Sequence, residues 1–350
     1  MSSRRNLLHL SASALALPVL LRPQAARAQE VTLRLHHFLP AVSNVHRHFL
    51  VPWTNKIREE SGGRLRIQIF PSMQLGGAPP QLYDQARDGV ADIIWTLPGN
   101  TPGRFPRIEV IELPFIAHKR GSVNARVTWE LFDKHMRGEY ADTHIITAWA
   151  HDGGLIHAKR EVRTMDDLRG LKLRFPTRQA GEALRALGAA PIGMPVPQVP
   201  EALSQGVIDG AVVPWEVVPS LRLQEMVRNH TDIPGSPTLY TASFVLAMNK
   251  AKYDGLAADL KGVLDANSGL VAAQMAARVW DEQGPIVEEM VRRRGNAIIS
   301  ITEEEKTRWQ RTTQPVTDAW IAAMRERNID GAALVEEARA LVARYGQGVS

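Results

Sequence analysis

The chain has 350 residues, contains no cysteine and carries a formal net charge of +5. This length favours two domains, and the missing cysteine excludes a disulfide framework, thiol catalysis and thiolate metal ligands. Four arginines fall among the first 28 residues, which hold no acid, so the remainder carries about +1. That balance removes the electrostatic argument for binding nucleic acid, and we expect no nucleic-acid partner.

The N-terminus has the features of a cleavable export signal. Paired arginines at 4–5 precede an apolar run at 10–21, which contains Pro18 and is shorter than the ~20 residues of a membrane-spanning helix. A small-residue cleavage motif ends at Ala28. We expect residues 1–28 to be removed and the mature protein to lie in the periplasm. The paired arginines fit the twin-arginine route, and a Sec signal with a basic start is the alternative.

Strands and helices alternate through the first part of the mature chain. Apolar residues recur at every fourth position of 43–60, as in an amphipathic helix, and short apolar runs bounded by glycine or proline predict strands. This alternation indicates an open, largely parallel sheet with its ligand site beyond the strand ends, where Trp95 and Leu97 lie. The predicted strands are 31–36, 65–70, 91–96 and 144–149, and the predicted helices are 43–60, 79–87 and 121–137.

A second alternating set follows the glycine pair at 153–154, where we place the first crossing between two lobes. The chain returns to the first lobe in an apolar run at 240–248 and continues into a long helical region at 256–294. Two α/β lobes joined by more than one crossing form a hinge. Further strands are predicted at 155–158, 171–175, 190–194 and 208–213, and further helices at 165–168, 178–187, 198–205, 303–327 and 331–345.

One strand of the second set, GLKLRFP at 170–176, ends in the cation Arg174. Its apolar and basic residues alternate, which predicts a half-buried strand. An arginine in this place either lies solvated on an edge or turns its planar fork of donors toward an anion such as a carboxylate. The strand by itself leaves both interpretations open.

Sequence motifs for catalysis are missing: there is no phosphate-binding glycine loop, dinucleotide fingerprint, zinc-protease motif or nucleophile elbow. Histidines cluster at 36–37 and at His46 and His48, but the latter two project about 200° apart on a helix and cannot share an ion. His151 and Asp152, adjacent at a glycine turn, fit a capping role better than an acid–base pair. We therefore expect no catalytic set, no metal and no cofactor.

Five segments of the mature chain occur in an order that is known from one family. They are GGRLRIQIFPSMQLGG at 62–77, DGVADI at 88–93, ELPF at 112–115, DDLRGLKLRFP at 166–176 and GVIDGA at 206–211. Together they resemble the extracytoplasmic solute-binding proteins of TRAP transporters, the DctP type. The resemblance implies a periplasmic-binding-protein-like α/β fold, in which two lobes close on a ligand cleft and are joined by hinge crossings and a long linking helix. It also implies that Arg174 forms a salt bridge with the carboxylate of the ligand.

The same resemblance implies how the chain divides into lobes and which partners it has. Lobe 1 is expected at 30–152 plus 240–280, lobe 2 at 153–239 plus 281–325, and a C-terminal helix at 326–350. The protein is expected to be a monomer that captures a small organic acid and delivers it to the small and large TRAP membrane subunits, without catalysis. A periplasmic enzyme acting on a carboxylate and a ligand-sensing subunit of a signalling system are the alternatives.

The departures from the family pattern indicate the kind of ligand. Polar ligand-binding positions of the sialic-acid-binding members correspond here to Phe38, Leu97, Leu155 and Val213. A pocket that keeps Arg174 but loses these groups favours a monocarboxylate with an apolar or aromatic body, because a sugar acid would leave buried polar atoms unpaired. The expected substrate-binding residues are Arg174, Phe38, Trp95, Leu97, His151, Leu155, Val196, Val213 and Trp215.

Overall fold

The structure, a computed structural model, describes residues 30–349. The predicted export signal at 1–28 and its cleavage near Ala28 lie outside these residues. Within them, eleven strands form two mixed sheets with helices packed around them, and none of the helices is long and apolar enough to cross a bilayer. Two α/β lobes are therefore present, as the alternation of strands and helices predicts.

The strands coincide closely with the predicted apolar runs, because the side chains of these runs form the cores of the two sheets. The third strand is buried along its whole length, as expected for a strand covered on both faces. The strands are β1 (Val31–His36), β2 (Leu65–Phe70), β3 (Ile93–Thr96), β4 (Thr143–Ala150), β5 (Leu155–Ala158), β6 (Lys172–Phe175), β7 (Ala190–Gly193), β8 (Gly210–Val213), β9 (Asn229–Asp232), β10 (Ser243–Asn249) and β11 (Ala297–Ser300).

The first sheet has the strand order β2-β1-β3-β10-β4, and the second has β11-β9-β5-β8-β6-β7. β1 runs parallel to β2 and β3, but β10 is antiparallel to β3 and β4. In the second sheet, β5 is likewise antiparallel to both of its neighbours. The expectation of largely parallel sheets is wrong at β5 and β10, because each enters its sheet directly from the other one and so arrives in the reverse direction.

Two strands were not expected from the sequence. β9 consists of polar residues, Asn-His-Thr-Asp, yet His230 and Thr231 are buried in the sheet. β11 pairs with β9 at the edge of the second sheet, and only one of its four residues is fully buried. Hydrophobic periodicity could not reveal either strand, because the side chains that fill these positions are polar or half-exposed.

The long helical region predicted at 256–294 consists of two helices. They are separated near Gly269, which has a positive φ of 63° and whose added Cβ would lie 3.0 Å from the Trp129 ring. The helices are α1 (Val51–Glu60), α2 (Leu82–Arg87), α3 (Gly121–Leu131), α4 (Arg178–Ala186), α5 (Val199–Ser204), α6 (Leu223–Met226), α7 (Lys250–Asp254), α8 (Ala258–Ala266), α9 (Gly269–Arg293), α10 (Glu303–Glu326) and α11 (Gly331–Gly346).

Helix α9 links the two lobes. It packs against α3 and β4 on the side of the first sheet, and against the turn Trp215–Val217, which follows β8 of the second sheet. Small side chains let this helix approach its neighbours closely. The residue boundaries of the lobes stay a prediction. The buried small residues of α9 are Ala272, Ala273, Ala276, Ala277 and Gly284.

Candidate ligand-binding site

A narrow cavity with about 40 Å³ of water-accessible volume lies where strand ends of the two sheets meet, and we call it the Arg174 cavity. Seven of the nine residues expected from the sequence line it: Phe38, Trp95, Leu97, His151, Arg174, Val196 and Val213. The lining also includes Leu39, Pro176, Val212, Pro214, Glu216, Val217, Tyr240, Ala242, Phe244 and Trp280.

Arg174 is buried in β6, with 2% of its surface exposed. Its Nε donates to the Met194 carbonyl at 2.9 Å, and its Nη1 donates to the Val212 carbonyl at 3.3 Å. These bonds fix the guanidinium plane and leave Nη2 without a hydrogen-bond partner in the described part of the chain. Burial lowers the pKa of Arg174 to about 10, so the group stays protonated at neutral pH. No carboxylate within residues 30–349 lies at salt-bridge distance from it.

Aromatic rings form one wall of the cavity. The ring centroids of Phe38 and Trp95 are 4.7 Å apart, and Phe244 lies 5.5 Å from both Trp95 and Trp280. Planes in this cluster are tilted by 28° to 44°, so a flat ligand can meet both edges and faces of the rings. Aliphatic side chains complete the apolar lining, namely Leu97, Val196, Val212, Val213 and Val217.

Tyr240 adds a polar group that the sequence analysis did not place in the site. Its ring lies against Gly154, where an added Cβ would be 2.1 Å from the ring Cζ, so only glycine fits. Among residues 30–349 its hydroxyl has no hydrogen-bond partner. Burial raises the pKa of Tyr240, so the hydroxyl remains a donor, and the nearby charge of Arg174 opposes this rise. In the sequence, the glycine pair at 153–154 could have indicated this contact, because such a pair predicts the close approach of another group to the backbone as well as a crossing between lobes.

Glu216 is the second polar residue that the sequence analysis missed, and it is 2% exposed. The backbone N–H of Val45 donates to its Oε1 at 3.2 Å, and Asn44 Nδ2 donates to its carbonyl at 2.9 Å. Both donors precede α1, which packs on the first sheet, whereas Glu216 follows β8 of the second. Burial, helped by the charge of Asp152, raises the pKa of Glu216 to about 8. No motif marks a single glutamate of this kind in the sequence.

His151 also lines the cavity, and its backbone is firmly held. Its carbonyl accepts hydrogen bonds from Asn124 Nδ2 and Thr241 Oγ1, both at 2.7 Å. Its ring Nδ1 lies 2.5 Å from the Asp152 carbonyl and 3.6 Å from the Asp152 carboxylate. These contacts fix the turn at the crossing, in agreement with a structural role for His151 and Asp152.

The structure places Leu155 and Trp215 outside the Arg174 cavity. Both line a second cavity, which also includes Lys119, Asp152 and Asp232. Trp215 begins a 3₁₀ turn, in which successive side chains point about 120° apart, so Glu216 lines the Arg174 cavity in its place. Leu155 and Trp215 therefore do not line the Arg174 cavity, and their role as ligand contacts stays a prediction.

A buried histidine pair supports the wall formed by β8. His157 Nε2 lies 3.1 Å from the Val213 carbonyl, and His157 Nδ1 lies 2.7 Å from His230 Nδ1. Asn296 Nδ2 donates to His230 Nε2 at 3.0 Å. One set of neutral tautomers satisfies this chain: His157 carries its proton on Nε2 and His230 carries its proton on Nδ1. Burial accordingly lowers the pKa of both histidines, that of His230 to about 4.

No group of three or more histidine, aspartate or glutamate side chains within residues 30–349 is arranged to hold a metal ion. Of the histidines that cluster in the sequence, His37 and His46 contact each other: His46 Nδ1 lies 2.9 Å from Nε2 of His37, a neighbour of the Trp95 ring.

Solved structures of known proteins share this fold. A TRAP solute-binding protein from Rhodoferax ferrireducens T118, in complex with copurified benzoate, is 44% identical, with a TM-score of 0.88 over 91% of this chain and 100% of that one. A marine-metagenome TRAP solute-binding protein specific for aromatic acids, in complex with 3-hydroxybenzoate, is 41% identical, with a TM-score of 0.88 over 91% and 99%. A TRAP periplasmic solute-binding protein from Bordetella bronchiseptica, with bound mandelate, is 27% identical, with a TM-score of 0.83 over 90% and 99%.

The fold and the cavity thus define a solute-binding protein of the TRAP type. The family model for bacterial extracellular solute-binding protein family 7, DctP, matches residues 35–323, and the chain belongs to this family. The TRAP solute-binding proteins bind small organic acids and deliver them to the membrane subunits of the transporter, and the structurally similar protein from Bordetella bronchiseptica is periplasmic.

Proposed function

We propose that this protein captures an aromatic monocarboxylate in the Arg174 cavity and delivers it to the TRAP membrane subunits. The observation that supports this most strongly is Arg174 itself. A buried, geometrically fixed guanidinium in an apolar cavity is costly unless an anion pairs with it. A carboxylate that accepts from Nη2 and from the nearby Tyr240 hydroxyl provides that pairing.

The other lining residues favour a flat apolar body over a sugar. Phe38, Trp95 and Phe244 offer ring contacts, whereas the several hydroxyl groups of a sialic or uronic acid would find few partners. The relatives that hold benzoate and 3-hydroxybenzoate are 44% and 41% identical to this chain, which supports an aromatic acid as the ligand.

We further propose that the chain works in the periplasm after removal of residues 1–28, with cleavage near Ala28, and that it returns its ligand unchanged. The lobes expected at 30–152 plus 240–280 and at 153–239 plus 281–325 then close on the acid about the crossings. The periplasmic location of the similar protein from Bordetella bronchiseptica supports the proposed location. N-terminal sequencing of the protein from a periplasmic extract tests the cleavage position.

A thermal-shift screen of carboxylates with the purified mature chain tests the proposed function. Benzoate, hydroxybenzoates and mandelate should raise the melting temperature by several degrees, and sialic and uronic acids should not, because binding to the folded state alone stabilises it. Chromatography of the recovered acid after long incubation should show only starting material. A preference for sugar acids would contradict the proposed ligand class, and product formation would support an enzyme.

A further inference from the structure

Glu216 is a buried acid whose second oxygen has no assigned use. Its Oε1 accepts from the Val45 N–H at 3.2 Å, and its Oε2 has no hydrogen-bond partner within the described residues. The residue lines the Arg174 cavity and is 2% exposed. An unpaired polar group in an apolar site retains part of its desolvation cost, so a hydrogen-bond partner there is favourable. The remaining oxygen is therefore available to a partner that enters the cavity.

The surroundings of Glu216 limit the chemistry of this partner. No lysine, arginine or histidine of residues 30–349 lies at salt-bridge distance from the carboxyl, and burial raises its pKa to about 8. At neutral pH the group is therefore mostly a neutral carboxylic acid, with one donor and one acceptor. A hydroxyl group also has one donor and acceptor capacity, so the two can pair without placing a charge in the apolar cavity.

Arg174 and Glu216 form neither a salt bridge nor a hydrogen bond with each other. Arg174 is tied to the carbonyls of Met194 and Val212, whereas Glu216 is tied to Asn44 and Val45. A ligand whose carboxylate is held by Arg174 can reach Glu216 only with a second polar group on its body. Because the partners of Glu216 come from the first-sheet side, the same contact also favours the closed arrangement of the lobes.

We propose that Glu216 recognises a hydroxyl group on the aromatic body of the ligand, so that hydroxylated aromatic monocarboxylates are the preferred class. This rests on the proposed function, since it assumes that Arg174 holds the carboxylate. A site that hydrogen-bonds a hydroxyl rejects the analogue without it, because the buried group is then left unpaired.

Isothermal titration calorimetry with benzoate and with 2-, 3- and 4-hydroxybenzoate tests this assignment. Wild type should bind at least one hydroxy isomer about 10-fold or more tightly than benzoate. Glu216→Leu should reduce that ratio to about 2-fold or less, and Glu216→Gln, which keeps a donor and an acceptor, should retain most of it. The ratio is the readout, because a general effect on closure would weaken all four acids equally.

Three results would overturn the assignment. Wild type could bind benzoate as tightly as every hydroxy isomer, Glu216→Leu could keep the full ratio, or 3-aminobenzoate could bind more tightly than each hydroxybenzoate through an ionised Glu216. If Glu216→Leu does not fold, the ratios of wild type and Glu216→Gln decide the question by themselves. Failure of all these acids to bind wild type would instead contradict the proposed function.

Discussion

The Arg174 cavity and the second cavity accommodate charged side chains in different ways. In the second cavity, Lys119 donates to Asp232 at 2.8 Å, and burial raises the pKa of Asp152, so this acid can lose its charge by taking up a proton. Neither solution is open to Arg174, because no carboxylate of residues 30–349 pairs with it and a guanidinium keeps its proton at neutral pH. This difference indicates that the ligand site is where a charged side chain has no oppositely charged partner within the protein.

The largest expected effect comes from removing that charge. Arg174→Ala should weaken the binding of benzoate by at least about 100-fold, since breaking a buried charged pair costs roughly 3–5 kcal/mol. Lys119→Ala is the matched control from the second cavity. Lys119 is part of an exposed pair worth about 0–1 kcal/mol, so its removal should leave the dissociation constant within about 2-fold. Calorimetric titration of both variants measures the contrast. Similar losses in the two variants would remove the distinction between the cavities.

Gly154, which lies against the Tyr240 ring of the Arg174 cavity, should have the next largest effect. In Gly154→Ala the new methyl group would overlap the Tyr240 ring, and we expect unfolding free energy to fall by about 2–3 kcal/mol and benzoate affinity to fall about 10-fold. Gly262→Ala is the control, because no atom lies within 4 Å of its added Cβ and its place in α8 favours alanine. Urea unfolding that shows equal stability for both variants would contradict the assigned packing.

Unfolding free energies measured over a range of pH test whether Glu216 becomes neutral on burial, which Arg174 cannot do. Glu216 has a folded pKa of about 8 against 4.5 for the free group, so its contribution to stability is complete below pH 4.5 and is lost as pH rises toward 8. Glu216→Gln does not titrate. Its unfolding free energy relative to wild type should therefore rise by about 1.4 kcal/mol per pH unit, or roughly 2 kcal/mol from pH 6 to 7.5. Parallel pH profiles would show that wild-type Glu216 is ionised throughout.

The smallest effect is expected where Gly99 meets Thr177, next to Pro176 of the Arg174 cavity lining. Gly99 follows β3 of the first sheet, and its added Cβ would lie 2.7 Å from Thr177 Cγ2, beyond β6 of the second. Gly99→Ala should therefore hinder closure and weaken benzoate binding about 3- to 10-fold. Adding Thr177→Ser removes the obstructing methyl group and keeps the hydroxyl that accepts from the Ala180 N–H. Affinity should return toward wild type in the double variant, and a double variant as weak as Gly99→Ala alone would argue against this contact.

Much of the fold could be predicted from local patterns. The alternation in GLKLRFP places Arg174 on β6, and the apolar runs locate most other strands to within about two residues, because burial of those side chains drives strand formation. The antiparallel direction of β5 and β10 could not be predicted in this way, since direction depends on how the chain crosses between the sheets. β9 was not predicted because its buried residues, His230 and Thr231, are polar.

The site was predictable only in part, for a similar reason. Phe38, Trp95 and Val213 lie beside Arg174 in the cavity, as the comparison of positions suggested. Tyr240 and Glu216 reach the cavity through contacts distant in sequence, one across Gly154 and the other across the cleft to Val45. No motif encodes such contacts. The one-residue difference between Trp215 and Glu216 shows that a turn after a strand decides which side chain enters the site.

The most direct test of the central claim crosses two ligands with two proteins. Benzoate and benzamide have nearly the same shape, but only benzoate carries the carboxylate that Arg174 should bind. Titration of both into wild type and Arg174→Met should give a preference for benzoate of about 100-fold or more in wild type and about 2-fold or less in the variant, which keeps an apolar stem. An equal preference in both proteins would contradict the Arg174–carboxylate salt bridge.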